Sequence, residues 1–555
     1  MSLPRSSSMA SDTDKKVDAP TYIENAAPVM PSTTGSSKRV GDAALDVLGD
    51  ASTPVHITAE QDARVLRKID RWCMPVILMV YFLQQLDKSS LSYTSAFNIV
   101  QETHLHGSQY SWLGSIVYVA QLVWQPVSSY LLVKLPVAKY LFVHVFMWGV
   151  LVACTAAAKN FGGLLAVRFL LGIFEATVAP CFIIITQMWW RRREQTLRLS
   201  AWMAMNGVAG AVGSLLAYGL GQIDGRLKPY QTIFLFIGLL TVACSFVVLF
   251  VLPDSPTKAR FFSHEEKVVA LERLRSNNQG TEAKVWKWDH VWDLATDFKT
   301  YLWFSLLFLC ALPSGGLSSF GPLIIKGFGF GTLDTILFNA PFGIFQVIIT
   351  LLSALISQRI KLKWPVIFFL SLPPIAGAAA LRVLGRGTEL KNTLLGCYYV
   401  LSFSTGLQPM LYTWASQNTA GHTKKTAITA VIFVAQCAGN IAGPQLYRTE
   451  ESPYYHRGLI GSLTCWIALA LITLVTALYL HILNRKQAAK RRRMGKKGEV
   501  IDTSLESSKA ALKMREKALE EKGGEEAQHE NAAAINEKAF DDLTDRQNED
   551  FIYAL

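Results

Sequence analysis

Four ionisable residues stand where the sequence around them is otherwise apolar. Asp87 and Lys88 interrupt a hydrophobic stretch that begins near Trp72, and Arg168 and Glu175 lie inside another at about 163–188. At bilayer depth such a residue costs at least ~2.5–3.5 kcal/mol on insertion scales, so each needs a partner, water or a task. Arg168 and Glu175 are seven residues apart. On a helix that is two turns along one face, about 10 Å along the axis. Asp87 and Lys88 are adjacent, so their side chains diverge by about 100°. Lys88 shares its face with Gln84 and Tyr81, four and seven residues earlier. Such a polar stripe is wasted on lipid but useful against a water-filled cavity.

These residue types suit recognition of an anion together with a proton. A guanidinium stays charged and grips a carboxylate through two parallel hydrogen bonds, which makes Arg168 the expected anchor for an anionic substrate. Lys88 would supply a second positive charge. A carboxylate in a low-dielectric site favours its neutral form, so Glu175 is expected to take a proton on the acidic side, admit the anion, and release the proton on the other side. Asp87 has two readings: a second proton carrier, or the group that holds Lys88 in place. The competing reading of all four is structural, two internal ion pairs that fix helix packing. Tyr81, Gln84, Tyr118, Asn206, Gln436 and Asn440 complete the expected substrate site. Gln121, Gln346, Gln408 and Tyr412 are placed to line the same cavity, although any of these polar residues equally suits an interhelical hydrogen bond. His144 reads as a packing histidine, and His104 and His106 fall in a loop and receive no role. No nucleophile–base set, metal-ligand cluster or phosphate loop is found, so neither enzymatic activity, nor a metal, nor a cofactor is expected.

Hydropathy defines the elements that must position these groups. Of 555 residues, 51% are hydrophobic and 17% charged, with 14 Trp and 29 Phe, whereas a soluble chain is nearer a quarter charged. Charge collects in the first 70 residues, in 253–299 and in the last 70. Between them, apolar runs of about 20 residues, the length a hydrocarbon core requires, fit at roughly 72–97, 109–133, 139–158, 163–188, 199–221 and 231–252, and again at 301–325, 333–357, 364–384, 392–415, 426–446 and 458–483. This predicts an all-α membrane protein: twelve transmembrane helices in two pseudo-symmetric six-helix bundles, 71–252 and 300–484. Leu252-Pro253-Asp254-Ser255-Pro256 stops the sixth span, because the prolines remove helix donors. A charged loop, 253–299, follows. Residues 1–70 read as a disordered tail from their composition, and 485–555 as a second tail with a solvated helix at Ser504 to Lys522.

The net charge of +12 comes from Lys and Arg beside span ends, the pattern of membrane-flanking charge rather than of a nucleic-acid site. Lys134, Lys139, Arg191-Arg192-Arg193, Lys361, Lys363, Lys424-Lys425 and Lys490-Arg491-Arg492-Arg493 fall on one side. By the positive-inside rule that side, with both termini, is expected to be cytoplasmic. The expected partners are the bilayer, a small organic anion and a proton, with the protein a monomer. The eight cysteines mostly lie in apolar segments and read as small buried hydrophobes. Asn206-Gly207-Val208-Ala209-Gly210 and Gly439-Asn440-Ile441-Ala442-Gly443 sit at corresponding positions of the two halves, where small residues let helices approach closely.

Several motifs together carry a family likeness: Arg67-Lys68-Ile69-Asp70-Arg71, Leu86-Asp87-Lys88, Gln109-Tyr110-Ser111-Trp112-Leu113-Gly114-Ser115, Arg168-Phe169 with Glu175-Ala176, and Leu252-Pro253-Asp254-Ser255-Pro256. The chain resembles the fungal allantoate-permease-like branch of the anion:cation symporters, within the major facilitator superfamily, over about residues 60–485. The tail from Phe540 through Tyr553 resembles the same branch. The likeness implies proton-coupled uptake of carboxylates, ureides or vitamin-like acids at the plasma membrane. By similarity to more distant symporters, it also implies proton coupling and anion binding at Asp87, Lys88, Arg168 and Glu175. One departure is Gln125, where members of the branch often carry an acid. The main rival is efflux of a metabolite by the same fold. Against it, the fifth span has Gly207, Gly210 and Gly213 but none of the Gly-Pro typical of proton-driven exporters. A nutrient-sensing receptor is a third reading and would require a large structured extension.

Overall fold

The computed structural model describes residues 57–555 apart from 97–98, 107–108, 222, 224–225, 276–285, 331, 448–450 and 495–541. Residues 1–56 of the tail expected at 1–70, and the helix expected at Ser504 to Lys522, lie outside the described residues. Within them, the chain runs as successive long helices: α1 Ala59–Ala96, α2 Gln109–Lys134, α3 Val137–Thr155, α4 Phe161–Glu175, α5 Val178–Trp189, α6 Arg192–Met203, α7 Met205–Gly221 and α8 Pro229–Val251. Two short helices, α9 His264–Arg275 and α10 Trp288–Ala295, join this N-half to the C-half. The C-half holds α11 Phe298–Gly327, α12 Thr332–Ile360, α13 Trp364–Val383, α14 Lys391–Val400, α15 Leu407–Gln417, α16 His422–Ala442 and α17 His456–Arg493. Pairs α4/α5, α6/α7 and α14/α15 each form one pass, which makes twelve passes among the described residues. Nine passes are long and apolar enough by length and composition to cross a membrane. The other three are α1, which carries Asp87 and Lys88, α6/α7, which begins Arg-Arg-Glu, and α14/α15, divided by a 3-10 turn at Leu401–Gly406.

Local chemistry explains the breaks. Asn160 caps α4 through its side chain, which accepts from the Gly163 amide at 2.8 Å. The fourth pass breaks after Glu175, at Ala176, whose carbonyl lies four residues before Pro180 and cannot receive the amide that proline lacks. Asp254 of the Pro-Asp-Ser-Pro stop reaches back to the start of α3 and accepts from the Ala138 amide at 3.2 Å.

The first pass begins earlier than hydropathy indicates. Thr58 and Gln61 exchange backbone and side-chain hydrogen bonds of 3.3 and 3.0 Å at its start, a capping-box arrangement. Val65, Ile69, Cys73, Val76 and Val80 then form a buried stripe at helical spacing. Asp62 is buried against Arg191 at 3.1 Å and Arg273 at 2.9 Å. Residues 59–70 therefore belong to the bundle and not to a tail. The last pass likewise continues to Arg493, beyond the expected end at 484.

The small-residue segments pack differently in the two halves. A Cβ at Gly207 would come within 2.3 Å of the Gly343 carbonyl oxygen, so α7 and α12 cross at backbone contact between the halves. Gly439 and Gly443 instead admit α11 of their own half, where a Cβ would meet the carbonyls of Phe308 at 2.8 Å and Leu312 at 2.3 Å. The correspondence read from sequence is thus one of position, not of partner. Large apolar side chains such as Leu215, Phe250, Val383 and Leu478 stay exposed on both halves, as lipid-facing surfaces require.

Candidate functional site

The four ionisable residues come together in the N-half, with partners other than those their spacing suggests. Lys88 of α1 ion-pairs with Glu175 at the end of α4, Nζ to Oε1 3.0 Å. Asp87 turns the other way. Its Oδ2 accepts from Trp148 Nε1 of α3 at 3.1 Å, and its charge lies within electrostatic reach of Arg168. The competing structural reading, with Asp87 paired to Lys88 and Arg168 to Glu175, gives way to contacts between helices. The divergence of adjacent side chains forces the first exchange, and the two-turn separation on α4 leaves Glu175 free for the second.

Arg168 is buried, with its guanidinium carbon 5.4 Å from the centroid of the Phe234 ring on α8. Its Nε and Nη2 have no hydrogen-bond partner among the described residues. A buried guanidinium with unsatisfied N–H groups is costly in a fold of this kind.

Polar residues expected to line the cavity surround this core. Gln84 Nε2 donates to the Glu175 carbonyl oxygen at 3.4 Å, a group the broken helix leaves available. Asn206 Nδ2 donates to the Tyr81 hydroxyl at 3.5 Å, and the Tyr81 ring packs edge-on against Trp202. Tyr118 lies within electrostatic reach of both Lys88 and Glu175. From the C-half, the Tyr412 hydroxyl donates to Gln436 Oε1 and accepts from Gln408 Nε2 at 3.1 Å. Cys437 Sγ reaches Gln121 Oε1 of α2 at 3.6 Å, joining the halves beside the charged cluster. Asn440 lies against Gly315 at the α11–α16 crossing and has no hydrogen bond to the cluster among the described residues. His144 donates from Nδ1 to the Phe174 carbonyl oxygen at 2.9 Å, the satisfied packing role expected of it. Gln125 is buried where the branch often has an acid.

Sequence reasoning missed Trp148 and Phe234, since nothing distinguishes either from the other aromatic residues of apolar spans. Among the described residues no group of His, Cys, Asp and Glu could hold a metal ion.

Helical passes in two halves, meeting around a buried cluster of balanced charge, define a polytopic membrane transporter. The chain belongs to the Major Facilitator Superfamily, whose family model matches residues 77–444. Its relatives fit the allantoate-permease-like branch. It is 36% identical over 428 residues to the uncharacterized transporter C757.13 of Schizosaccharomyces pombe, covering 76% of this chain and 81% of that protein. It is 29% identical over 459 residues to the allantoate permease of Saccharomyces cerevisiae, covering 80% and 83%. Among solved structures it shares its fold with the proton:xylose symporter XylE at a TM-score of 0.55 and 12% identity, covering 78% of this chain and 98% of that one. The human organic anion transporter MFSD10 matches at a TM-score of 0.51 and 16% identity, covering 73% and 99%.

Proposed function

We propose that the protein is a proton-coupled secondary transporter that imports a small organic anion, of carboxylate, ureide or vitamin-like type, by alternating access at the plasma membrane. The observation that carries this reading is the buried Arg168 guanidinium, with two nitrogens unmatched among the described residues, in one cluster with the Lys88–Glu175 pair.

In this reading Lys88 couples the two ligands. While Glu175 is ionised, Lys88 is committed to it. A proton on the Glu175 carboxylate removes that attraction and leaves the ammonium available to the incoming anion, beside Arg168. Deprotonation restores the ion pair, withdraws Lys88 and expels the anion. Asp87, held by Trp148, keeps a negative charge near Arg168 and limits how tightly the anion is held. The charges agree with this scheme. Asp87, Lys88, Arg168 and Glu175 sum to zero when all are ionised, and a monoanion entering with one proton returns the cavity to zero. Sequential filling by proton and anion avoids an uncompensated charge in a low-dielectric site. The 29%-identical allantoate permease makes allantoate the first anion to test.

The test is uptake of radiolabelled allantoate and related carboxylates by cells expressing the protein. Uptake should rise as external pH falls from about 7 to 5 and collapse with a protonophore. Accumulation that ignores the proton gradient, or net extrusion of the anion against inward proton flow, would overturn the reading.

A further inference from the structure

At the end of the bundle that carries the basic span termini the two halves are linked by hydrogen bonds, and part of that link comes from residues 542–555. Residues 542–555 are separated from α17 by the residues between 494 and 542, and they lie folded against the C-half. Asp545 is buried among Lys299 of α11, Lys424 of α16 and the Tyr553 hydroxyl, with Lys424 at 2.8 Å and Tyr553 at 2.9 Å. Burial raises the Asp545 carboxyl, but the two lysines outweigh it and hold the group well below the usual carboxylate range, so it stays ionised. Asp542 accepts from the His422 amide at 2.6 Å, at the start of α16. The Ala554 carbonyl oxygen accepts from Trp414 Nε1 at 2.9 Å and Asn418 Nδ2 at 3.0 Å.

From the other half comes Arg192, the first residue of α6. Its Nη1 donates to the Ile552 carbonyl oxygen at 3.0 Å and its Nη2 to the Gln417 carbonyl oxygen at 2.5 Å, and its guanidinium carbon is 4.5 Å from the centroid of the buried Phe551 ring. Gln417 Nε2 donates back to the Arg192 carbonyl oxygen. The two halves are thus fastened across this end partly through a segment that belongs to neither helical bundle.

We propose that residues 542–555 form the C-half's side of the gate at this end: a docked plug whose Phe551–Ile552 pair receives Arg192 from the N-half. Opening then releases Arg192, while the plug stays on the C-half. The asymmetry of the contacts assigns the moving part. Undocking the plug would break the buried pairs of Asp545 with Lys299 and Lys424, which would keep Asp297 and Asp293, and would break the hydrogen bonds from Trp414, Asn418, His422, Asn484 and Gln487, a costly step. Releasing Arg192 exchanges the Ile552 and Gln417 carbonyl oxygens, the Gln417 amide and the Phe551 ring face for water. The proposal needs only that this end opens, and it holds for any substrate.

Native Cys437 reports on it, because it is buried between the halves beside Gln121. Membranes exposing the basic end are treated with a membrane-impermeant maleimide, and labelling of Cys437 is read by peptide mapping. In the unaltered chain labelling should be slow. Arg192→Ala and Phe551→Ala should each raise its rate about tenfold, the effect of losing one interaction of roughly 1.4 kcal/mol, and together no more than the larger alone. A chain ending at residue 541 should behave like Arg192→Ala, and a synthetic peptide of residues 542–555 should return it to slow labelling. If the shortened chain does not fold, the two point variants decide the matter. Unchanged labelling in both would overturn the proposal, as would an equal rise at buried Cys73 and Cys310, which signals general loosening. Failure of anion uptake would leave these labelling rates untouched, so the gate and the substrate reading fail separately.

Discussion

At the scale of single residues, the site is a set of exchanges between helices, and the Lys88–Glu175 pair is where they can be measured. Glu175 is fully buried and Lys88 less than a third exposed. Removing one partner of a buried ion pair costs about 3–5 kcal/mol, because the other charge is left uncompensated, while removing both costs much less. Lys88→Met alone should therefore lower thermal stability in detergent at neutral pH, and Lys88→Met combined with Glu175→Gln should recover most of the loss. Additive losses in the double variant would refute a direct pair. Glu175→Gln also separates coupling from binding. It cannot exchange a proton, so concentrative uptake should disappear while exchange of labelled for unlabelled anion persists. Concentrative uptake at the unaltered level would remove Glu175 from the proton path. The residue types of this cluster were plain in the sequence, since charges in apolar runs declare themselves. Their pairing was not, because it depends on which helix faces which. Trp148, which fixes Asp87, carries no signal that separates it from a lipid-facing tryptophan.

At the scale of elements, the spans were legible to within a few residues wherever a helix is apolar throughout, as in α2, α3, α8 and α13. They were misjudged where polar helix continues an apolar one. Residues 59–70 and 485–493 are helical because buried ion pairs and hydrogen bonds hold them, with Asp62 on Arg273 and Arg491 on the Glu549 carbonyl oxygen. Hydropathy does not count such contacts. The small residues of the fifth and eleventh spans were also visible in advance, but their partners were set by three-dimensional packing. Gly207 faces Gly343 of the other half, whereas a Cβ at Gly210 meets nothing within 4 Å among the described residues. If the halves rock against each other at this crossing, a methyl there disturbs the arrangement seen here. Overpacking costs about 1–3 kcal/mol, a factor of about 5 to 150 in population. Gly207→Ala should accordingly slow transport by at least about fivefold, with Gly210→Ala within about twofold of the unaltered protein. Equal rates for the two variants, measured as initial uptake at matched surface expression, would show that the crossing does not move.

At the scale of the whole molecule, an even number of passes is expected to put the start of α1 and the end of α17 on one side of the membrane, and the charge distribution predicts which. Arg191 to Arg193, Lys299, Lys363, Lys424 and Lys425 gather at the end of the bundle that also carries the start of α1, the end of α17 and the docked segment. Lys and Arg flanking short loops are retained on the cytoplasmic side, so this end is expected to be cytoplasmic and the end with His104 and His106 external. Part of that basic charge is not displayed to solvent or lipid headgroups. Lys299 and Lys424 are neutralised by buried carboxylates, Asp545 among them. The topological signal and the gate thus draw on the same residues, and a count of basic residues alone overstates the exposed charge. Epitope tags make the orientation measurable, provided that the second is not placed after Leu555, whose carbonyl oxygen accepts from the Lys363 amide at 2.7 Å. A tag before Met1 and another inserted between Met494 and Asp542 should both be reached by antibody only after the plasma membrane is permeabilised, whereas a tag in the loop between α1 and α2 should be reached on intact cells stripped of their wall. Staining of the first two tags on intact cells would invert the orientation, and staining of one alone would require an odd number of passes.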